Sequence, residues 1–397
     1  MKILMYEWAL DFVGGGQKYS CHIASILQKE HEVTFVCRKP VKKEFLENAY
    51  EVDLSNVNFK QLKFKPLIEK IPAGLYNTLL IQLNAIREAK EITPLTKQYD
   101  LFINCESTRF QIKPLSKKSI LICPFPPNIK KWIIEYDKYS ALLKYSYALP
   151  YKLIAKKLEF FFYVKSYTKI IANSNFTKGW IKKYWDCDSE VLYPCTFIPY
   201  ERSPNEKENI IITVSRIAHK KKIIEMIDTF KILCTKGSKN WKLIIVGSTE
   251  DPMSKYLDVI YKNIEHFPVF IKLNISSKEL NEIYNKSKIY WHMTGLGIDA
   301  DKNPNDMEHF GMTPIEAMSH YVVPILFNGG GLKEIVTNGI NGFLVNNQEE
   351  LIERTMQLIN DDNRWKEISK NAFQRSKYFS FEEFSKNLKT LLEKLDK

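Results

Sequence analysis

The 397-residue chain is 45% hydrophobic and 26% charged, a balance that excludes a disordered or fibrous polymer and leaves room for more than one buried core. Its formal net charge of +12 draws it toward anions of any kind, whether nucleic acid, acidic lipid or phosphorylated small molecules, and does not choose among them. Seven scattered cysteines with no C-x-x-C spacing exclude a disulfide framework or zinc site as the organising principle and suit a reducing, cytoplasmic setting.

Residues 2–6 read as a strand and not as a signal peptide, because Glu7 and Asp11 interrupt any apolar region. Gly14, Gly15 and Gly16 then precede a helical pattern over 17–30. They form no dinucleotide fingerprint, since the third glycine is missing and the turn lies too far beyond the strand. Apolar runs at 32–37, 101–104 and 119–123 predict further buried parallel strands and, with the intervening helix, a doubly wound sheet.

From 112 to 183 the only acids are Glu135, Asp137 and Glu159, while lysines such as Lys130, Lys144 and Lys156 interleave with Trp132, Tyr139 and Tyr147. Two readings stay open for this stretch. Helices pack on the first sheet with Leu153, Ile154, Leu158, Phe161 and Phe162 inside and the lysines solvated, or the face rests peripherally on anionic membrane from the cytosolic side. No apolar stretch is long enough to span a bilayer. Nucleic acid is not an expected partner, because no recognised module accompanies the basic residues.

Residues 193–208, with Pro194, Pro199 and Pro204, suit an interdomain linker. Beyond it, strands are predicted at 210–215, 242–247, 269–273, 289–292 and 323–327. Helices are predicted near 223–234, 252–265, 277–285 and 313–319. The tail 380–397 carries Phe381, Phe384, Leu388, Leu391, Leu392 and Leu395 at helical spacing. The expected domains are 1–200, 205–380 and a final helix, 381–397, packing back on the first.

The most specific pattern is Glu308-His309-Phe310-Gly311-Met312-Thr313-Pro314-Ile315-Glu316. Two carboxylates flank seven residues, and the second is expected in the first turn of a helix that Pro314 helps to start. Such carboxylates accept hydrogen bonds from sugar and ribose hydroxyls, and the helix N-terminus beside them favours anions. Arg216 ends the strand at 210–215 and Lys220, Lys221 and Lys222 follow, at the carboxyl edge where α/β sheets bind ligands. Arg216 and Lys221 are suited to the charge developing on a leaving nucleoside diphosphate, and Lys220 and Lys222 to a solvated turn. Gly329, Gly330 and Gly331 precede Leu332 and permit close backbone approach to a ligand. Asp299-Ala300-Asp301 has D-x-D spacing but lies in a polar loop, where a structural role is expected and no metal.

In this order these pieces resemble the family-4 glycosyltransferases of the GT-B fold, over nearly the whole chain and most strongly from 170 to 342. Asn173-Ser174-Asn175-Phe176-Thr177 is similar to that family's "NS-x-F-T" segment, and Val191-Leu192-Tyr193-Pro194 to its run into the linker. The resemblance implies an α/β chain of two Rossmann-like doubly wound domains facing a cleft, with the C-terminal helix crossing back to the first. It implies that Arg216 and Lys221 bind the donor diphosphate, Glu316 the nucleotide ribose and Glu308 the transferred sugar. Phe310, Gly311, Met312, Gly330, Gly331 and Leu332 would line the sugar and phosphate site, His309 would support it, and Gly15 and Gly16 would close from the first domain. Trp291 to Gly297 leading to Met307-Glu308-His309-Phe310-Gly311 is similar to mannosyltransferase-like members, including those of lipid-linked oligosaccharide assembly. The implied reaction is a retaining, metal-independent transfer of a hexose from a nucleotide-sugar donor to a glycan or lipid-linked acceptor, with no cofactor besides that co-substrate. Many relatives place a histidine near the sugar where this chain has Pro124 in Cys123-Pro124-Phe125-Pro126. An epimerase of the same fold, acting without an acceptor, and a sugar-nucleotide-binding protein without turnover are the alternatives.

Overall fold

The computed structural model describes residues 1–11, 14–65, 77–128, 162–199, 207–249 and 255–395, with the side chains of 77–80 and 82 excepted. It divides into two compact units, Met1–Leu192 together with Ser385–Lys397, and Tyr193–Phe384.

The first unit runs β1 (Lys2–Tyr6), α1 (Gly15–Leu27), β2 (Glu32–Cys37), α2 (Lys43–Tyr50), β3 (Val57–Gln61), α3 (Asn77–Thr96), β4 (Leu101–Asn104), β5 (Lys118–Cys123), β6 (Lys169–Ala172), α4 (Asn175–Trp185) and β7 (Glu190–Val191). The seven strands are parallel in the order β3-β2-β1-β4-β5-β6-β7, which places the topological switch between β1 and β4. Ile3, Leu4, Met5 and Tyr6 are all fully buried, because a central parallel strand is covered on both faces and has no polar side to show. Strand β3, whose residues are mostly exposed, closes one edge; its polar sequence gave no strand signal. The basic, aromatic stretch singled out in the sequence lies mostly at 129–161, outside the described residues. Among the described residues no helix is long and apolar enough to cross a membrane.

The second unit runs β8 (Ile210–Arg216), α5 (Ile223–Thr235), β9 (Lys242–Ser248), α6 (Lys255–Asn263), β10 (Val269–Leu273), α7 (Ser277–Lys286), β11 (Ile289–His292), α8 (Met312–Met318), β12 (Val323–Phe327), β13 (Phe343–Val345), α9 (Gln348–Asn360) and α10 (Asp362–Ser376). Its strands are parallel in the order β10-β9-β8-β11-β12-β13, with the switch between β8 and β11. Alternate residues feed two cores. Ile211, Ile245, Trp291 and Ile325 face one, and Ile212, Val246, Tyr290 and Leu326 face the other, as the two-residue period of a strand requires. The last helix, α11 (Phe381–Glu393), begins in this unit, and the chain from Ser385 onward belongs to the first. There Lys389 pairs with Glu30 at 2.6 Å and Lys394 with Glu190 at 3.5 Å.

The boundary between the units, Leu192/Tyr193, falls at the head of the expected linker. The stretch expected to act as a linker begins with an anchored residue: the Tyr193 ring lies 5.5 Å from Phe310 and 5.6 Å from Phe379, and its hydroxyl donates to Glu334 at 2.9 Å. Within that stretch, residues 200–206 lie outside the described residues. Helix α8 starts at Met312, one residue before the expected Thr313, because Gly311 at φ 104° turns the chain early, and this corrects the expectation that Glu316 lies in its first turn. Pro314 is thus the third helical residue, where the missing N–H would have no partner in the helix anyway, and Glu316 lies in the second turn.

Candidate active site

The carboxyl edge of the second sheet gathers most of the predicted site. Arg216 is the last residue of β8 and is exposed. A short turn, His219–Lys221, then carries Lys221 back toward the sheet before Lys222, at φ 59°, opens α5. Lys221 Nζ lies 2.6 Å from Glu308 Oε2. His292, the last residue of β11, places Nε2 2.8 Å from that same oxygen, and Thr294 Oγ1 lies 3.0 Å from the same ring nitrogen. On the far side of the imidazole, Nδ1 is 3.2 Å from the Tyr290 hydroxyl, which is 2.7 Å from Thr313 Oγ1. Thr313 in turn donates to the Val214 carbonyl at 3.1 Å. A turn, two strands, a loop and a helix thus meet in one polar chain.

A carboxylate only accepts, so the bond to Glu308 puts the ring proton on Nε2 and leaves Nδ1 as acceptor in a neutral imidazole. Burial pushes Glu308 upward, yet the Lys221 charge and the His292 hydrogen bond outweigh it and hold the carboxyl well below the usual range. Burial holds His292 below its ordinary value and brings His309 down to about 4, so both rings are neutral at pH 7. Partial desolvation, reinforced by the charges of Lys221 and Arg216, lowers Lys220; the four cationic and acidic groups Arg216, Lys220, Lys221 and Glu308 therefore share one neighbourhood. Lys222 pairs outside it, 3.0 Å from Glu225.

The glycines serve the scaffold directly. Gly330 sits at φ 58°, and a Cβ there would fall on the Glu308 carbonyl. One at Gly331 would fall on the His309 carbonyl. Gly331 N–H donates to the Glu308 carbonyl at 2.8 Å, so the close approach foreseen for a ligand is taken up by one loop lying on another. The Phe310 and Leu332 side chains are buried in the core, with Met312 packed against it; apolar side chains are drawn inward, and what remains for a ligand at these positions is backbone. Glu316, on α8, exerts its charge on Tyr284 and Tyr290.

Gly15 and Gly16 open α1 in the other unit, behind the Gly14 N-cap whose N–H donates to the Tyr50 hydroxyl at 3.1 Å. A Cβ at Gly16 would meet nothing within 4 Å. Beside them Glu7 is buried at the end of β1 and accepts from Ser20 at 3.1 Å and from Gln17 at 3.4 Å; burial and then the Glu106 charge raise it to about 8. Pro124 follows β5, and its carbonyl accepts from Thr177 Oγ1 at 3.1 Å. Asp299 is spent on its own turn, accepting from the Asp301 N–H at 3.0 Å and pairing with Lys302 at 3.2 Å. Among the described residues no cluster of three or more His, Cys, Asp or Glu has the geometry to hold a metal ion.

Sequence reasoning passed over His292 and Glu7. Each is a polar residue closing an apolar central strand beside a topological switch, and that position was the available signal.

Residues 197–375 match the family model described as glycosyl transferases group 1. Over that segment the chain is similar to the group 1 glycosyltransferases. It is 23% identical over 323 residues to the alpha-1,3/1,6-mannosyltransferase ALG2 of Saccharomyces cerevisiae, covering 71% of this chain and 62% of that one. To an uncharacterized glycosyltransferase of Methanocaldococcus jannaschii it is 30% identical over 235 residues, 58% of each chain. The match thus spans less than two thirds of the length of either relative. The solved structure of Anabaena HepE in complex with UDP and glucose superposes with a TM-score of 0.70 at 16% identity, covering 99% of this chain and 100% of that one. The two parallel α/β units are accordingly those of the GT-B fold, as the sequence led us to expect. The matched segment contains Arg216, Lys221, His292, Glu308 and Glu316.

Proposed function

We propose that the chain transfers a hexose, mannose in the reading its likeness to the ALG2 mannosyltransferase favours, from a nucleotide-sugar donor to a hydroxyl of a glycan or lipid-linked acceptor. The observation that carries this reading is the Lys221–Glu308–His292 chain beside Arg216 at the carboxyl edge of the second sheet. Arg216 and Lys221 neutralise the diphosphate as the glycosyl bond lengthens, and in this reading they do so without a metal. Glu308 accepts from a sugar hydroxyl, Glu316 from the ribose, and the backbone of the Gly311 and Gly330 loops lies against sugar and phosphate. His309, Phe310, Met312, Gly331 and Leu332 hold those loops in place. The acceptor oxygen attacks on the face the diphosphate leaves, and the departing phosphate takes its proton, so configuration is retained. A peripheral contact with anionic membrane on the cytosolic side fits the net charge of +12.

Mass spectrometry of products made from a mixed pool of GDP-mannose, UDP-glucose and other nucleotide sugars, with glycan and lipid-linked acceptors, tests the reading. Arg216→Ala combined with Lys221→Ala is expected to lower kcat at least about a hundredfold. Glu316→Gln is expected to act mainly on the donor KM, by roughly tenfold. Turnover of the double variant equal to that of the unaltered enzyme overturns the diphosphate assignment.

A further inference from the structure

The polar chain behind Glu308 holds more than a donor site needs. Lys221 and His292 both bond to Oε2 of Glu308, and among the described residues Oε1 has no protein partner. His292 is 3% exposed, and a hydrogen-bond chain runs from its Nδ1 through Tyr290 and Thr313 to the Val214 carbonyl. That chain can run in two directions. With a neutral ring, the Tyr290 hydroxyl donates to Nδ1. With a doubly protonated ring, Nδ1–H donates to Tyr290, whose hydroxyl turns to Thr313 while Thr313 donates to Val214. Every polar atom along the run from Nδ1 through Tyr290 and Thr313 to the Val214 carbonyl is satisfied both ways, so the buried imidazole has a place for a second proton on Nδ1 without leaving that donor orphaned.

We propose that His292 is a positioning residue which takes up one proton when a nucleoside diphosphate draws Lys221 off Glu308. The inference rests on the reading of Lys221 as a diphosphate ligand. Without its lysine Glu308 would be a buried carboxylate with no counter-charge, the costliest state available to it. Protonation of His292 on Nδ1, from solvent, restores an ion pair through Nε2 and keeps Oε1 aimed at the sugar. The charged groups facing the ring are Lys221 from the turn after β8 and Glu308 from the loop before α8; Glu316 of α8 faces Tyr290, the next member of the chain. Departure of Lys221 removes the one cation opposing a charged ring and leaves the anion that favours it.

Calorimetric titration of GDP and of UDP at pH 7, each in two buffers of different ionisation enthalpy, reads the protons exchanged on binding. The unaltered enzyme is expected to take up about one proton more per nucleotide than His292→Gln, which keeps a donor toward Glu308 but cannot be protonated. Ionisation of the nucleotide itself is common to both and cancels in the difference. In the unaltered enzyme, 15N-histidine labelling gives the same answer without a substitution: the His292 ring nitrogens move to doubly protonated shifts when nucleotide is added. Binding with equal proton exchange in the two proteins, or a ring that stays neutral, overturns the proposal and leaves the diphosphate reading standing. Failure of both nucleotides to bind the unaltered enzyme overturns that reading, and this inference with it.

Discussion

Two glycines with the same side chain, or rather the same lack of one, meet opposite demands. At Gly331 an added methyl would run into the His309 carbonyl, and the neighbouring loop would have to give way. Gly331→Ala is therefore expected to cost about 1–3 kcal/mol, read as a fall in the melting temperature, with loss of turnover because the same loop carries Glu308. At Gly16 an added methyl meets open space inside a helix, so Gly16→Ala is expected to leave stability unchanged or raise it by roughly 0.5–1 kcal/mol. A melting temperature lowered by Gly16→Ala contradicts the packing account of that turn. Both positions were legible as glycine-rich turns near helices. What separated them was a second segment some twenty residues away, which one-dimensional spacing does not disclose.

Helix boundaries carry their own local chemistry. Ser174, fully buried as the N-cap of α4, accepts from the Thr177 N–H at 3.1 Å, and Asn347 and Asp361 do the same for α9 and α10. Ser174→Ala removes that acceptor from a buried amide and is expected to cost about 1–2 kcal/mol, the upper half of the usual range for a cap; a variant melting with the unaltered protein speaks against it. The central strands were readable because runs such as those of β1 and β11 are buried on both faces, so their sequence is apolar apart from the end residues Lys2 and His292. Strands β3, β7 and β13 and helices α2, α3, α9 and α10 escaped the sequence reading. In β3 a single residue of five is buried, and an edge strand stabilised by backbone pairing leaves little trace in its side chains. His292 escaped for a related reason: at the end of an apolar strand it reads as punctuation until the neighbouring loop brings Glu308 to it.

At the scale of the molecule, burial of imidazoles ties both units to pH. His22 in the first unit is held down to about 3 and His309 in the second to about 4, in each case chiefly by burial, from an ordinary value of 6.5. Below pH 6.5 the unfolded chain binds protons on these rings that the folded chain refuses, so unfolding is favoured as pH falls. Their contribution to stability is full above 6.5 and is lost as pH falls toward 4 in the second unit and toward 3 in the first. Melting temperature is expected to fall over this range, and His309→Gln, if it folds, to flatten the lower-pH part for the second unit. A melting profile that rises on acidification from pH 6.5 to 4 contradicts the assignment.

The sequence by itself determined the class of fold and the candidate chemistry. Buried parallel strands must be apolar, and arginine, lysine and glutamate at strand ends and helix starts fall at the carboxyl edge whatever the detail of the loops. Tertiary structure alone decided that Lys221 and Glu308 hold one another, that His292 stands behind them with Tyr290 and Thr313, and that Gly330 and Gly331 make room for a neighbouring backbone. Each of these depends on residues far apart in the chain meeting at hydrogen-bond distance, with burial changing their charge states, and neither distance nor burial is encoded by spacing along a strand or helix.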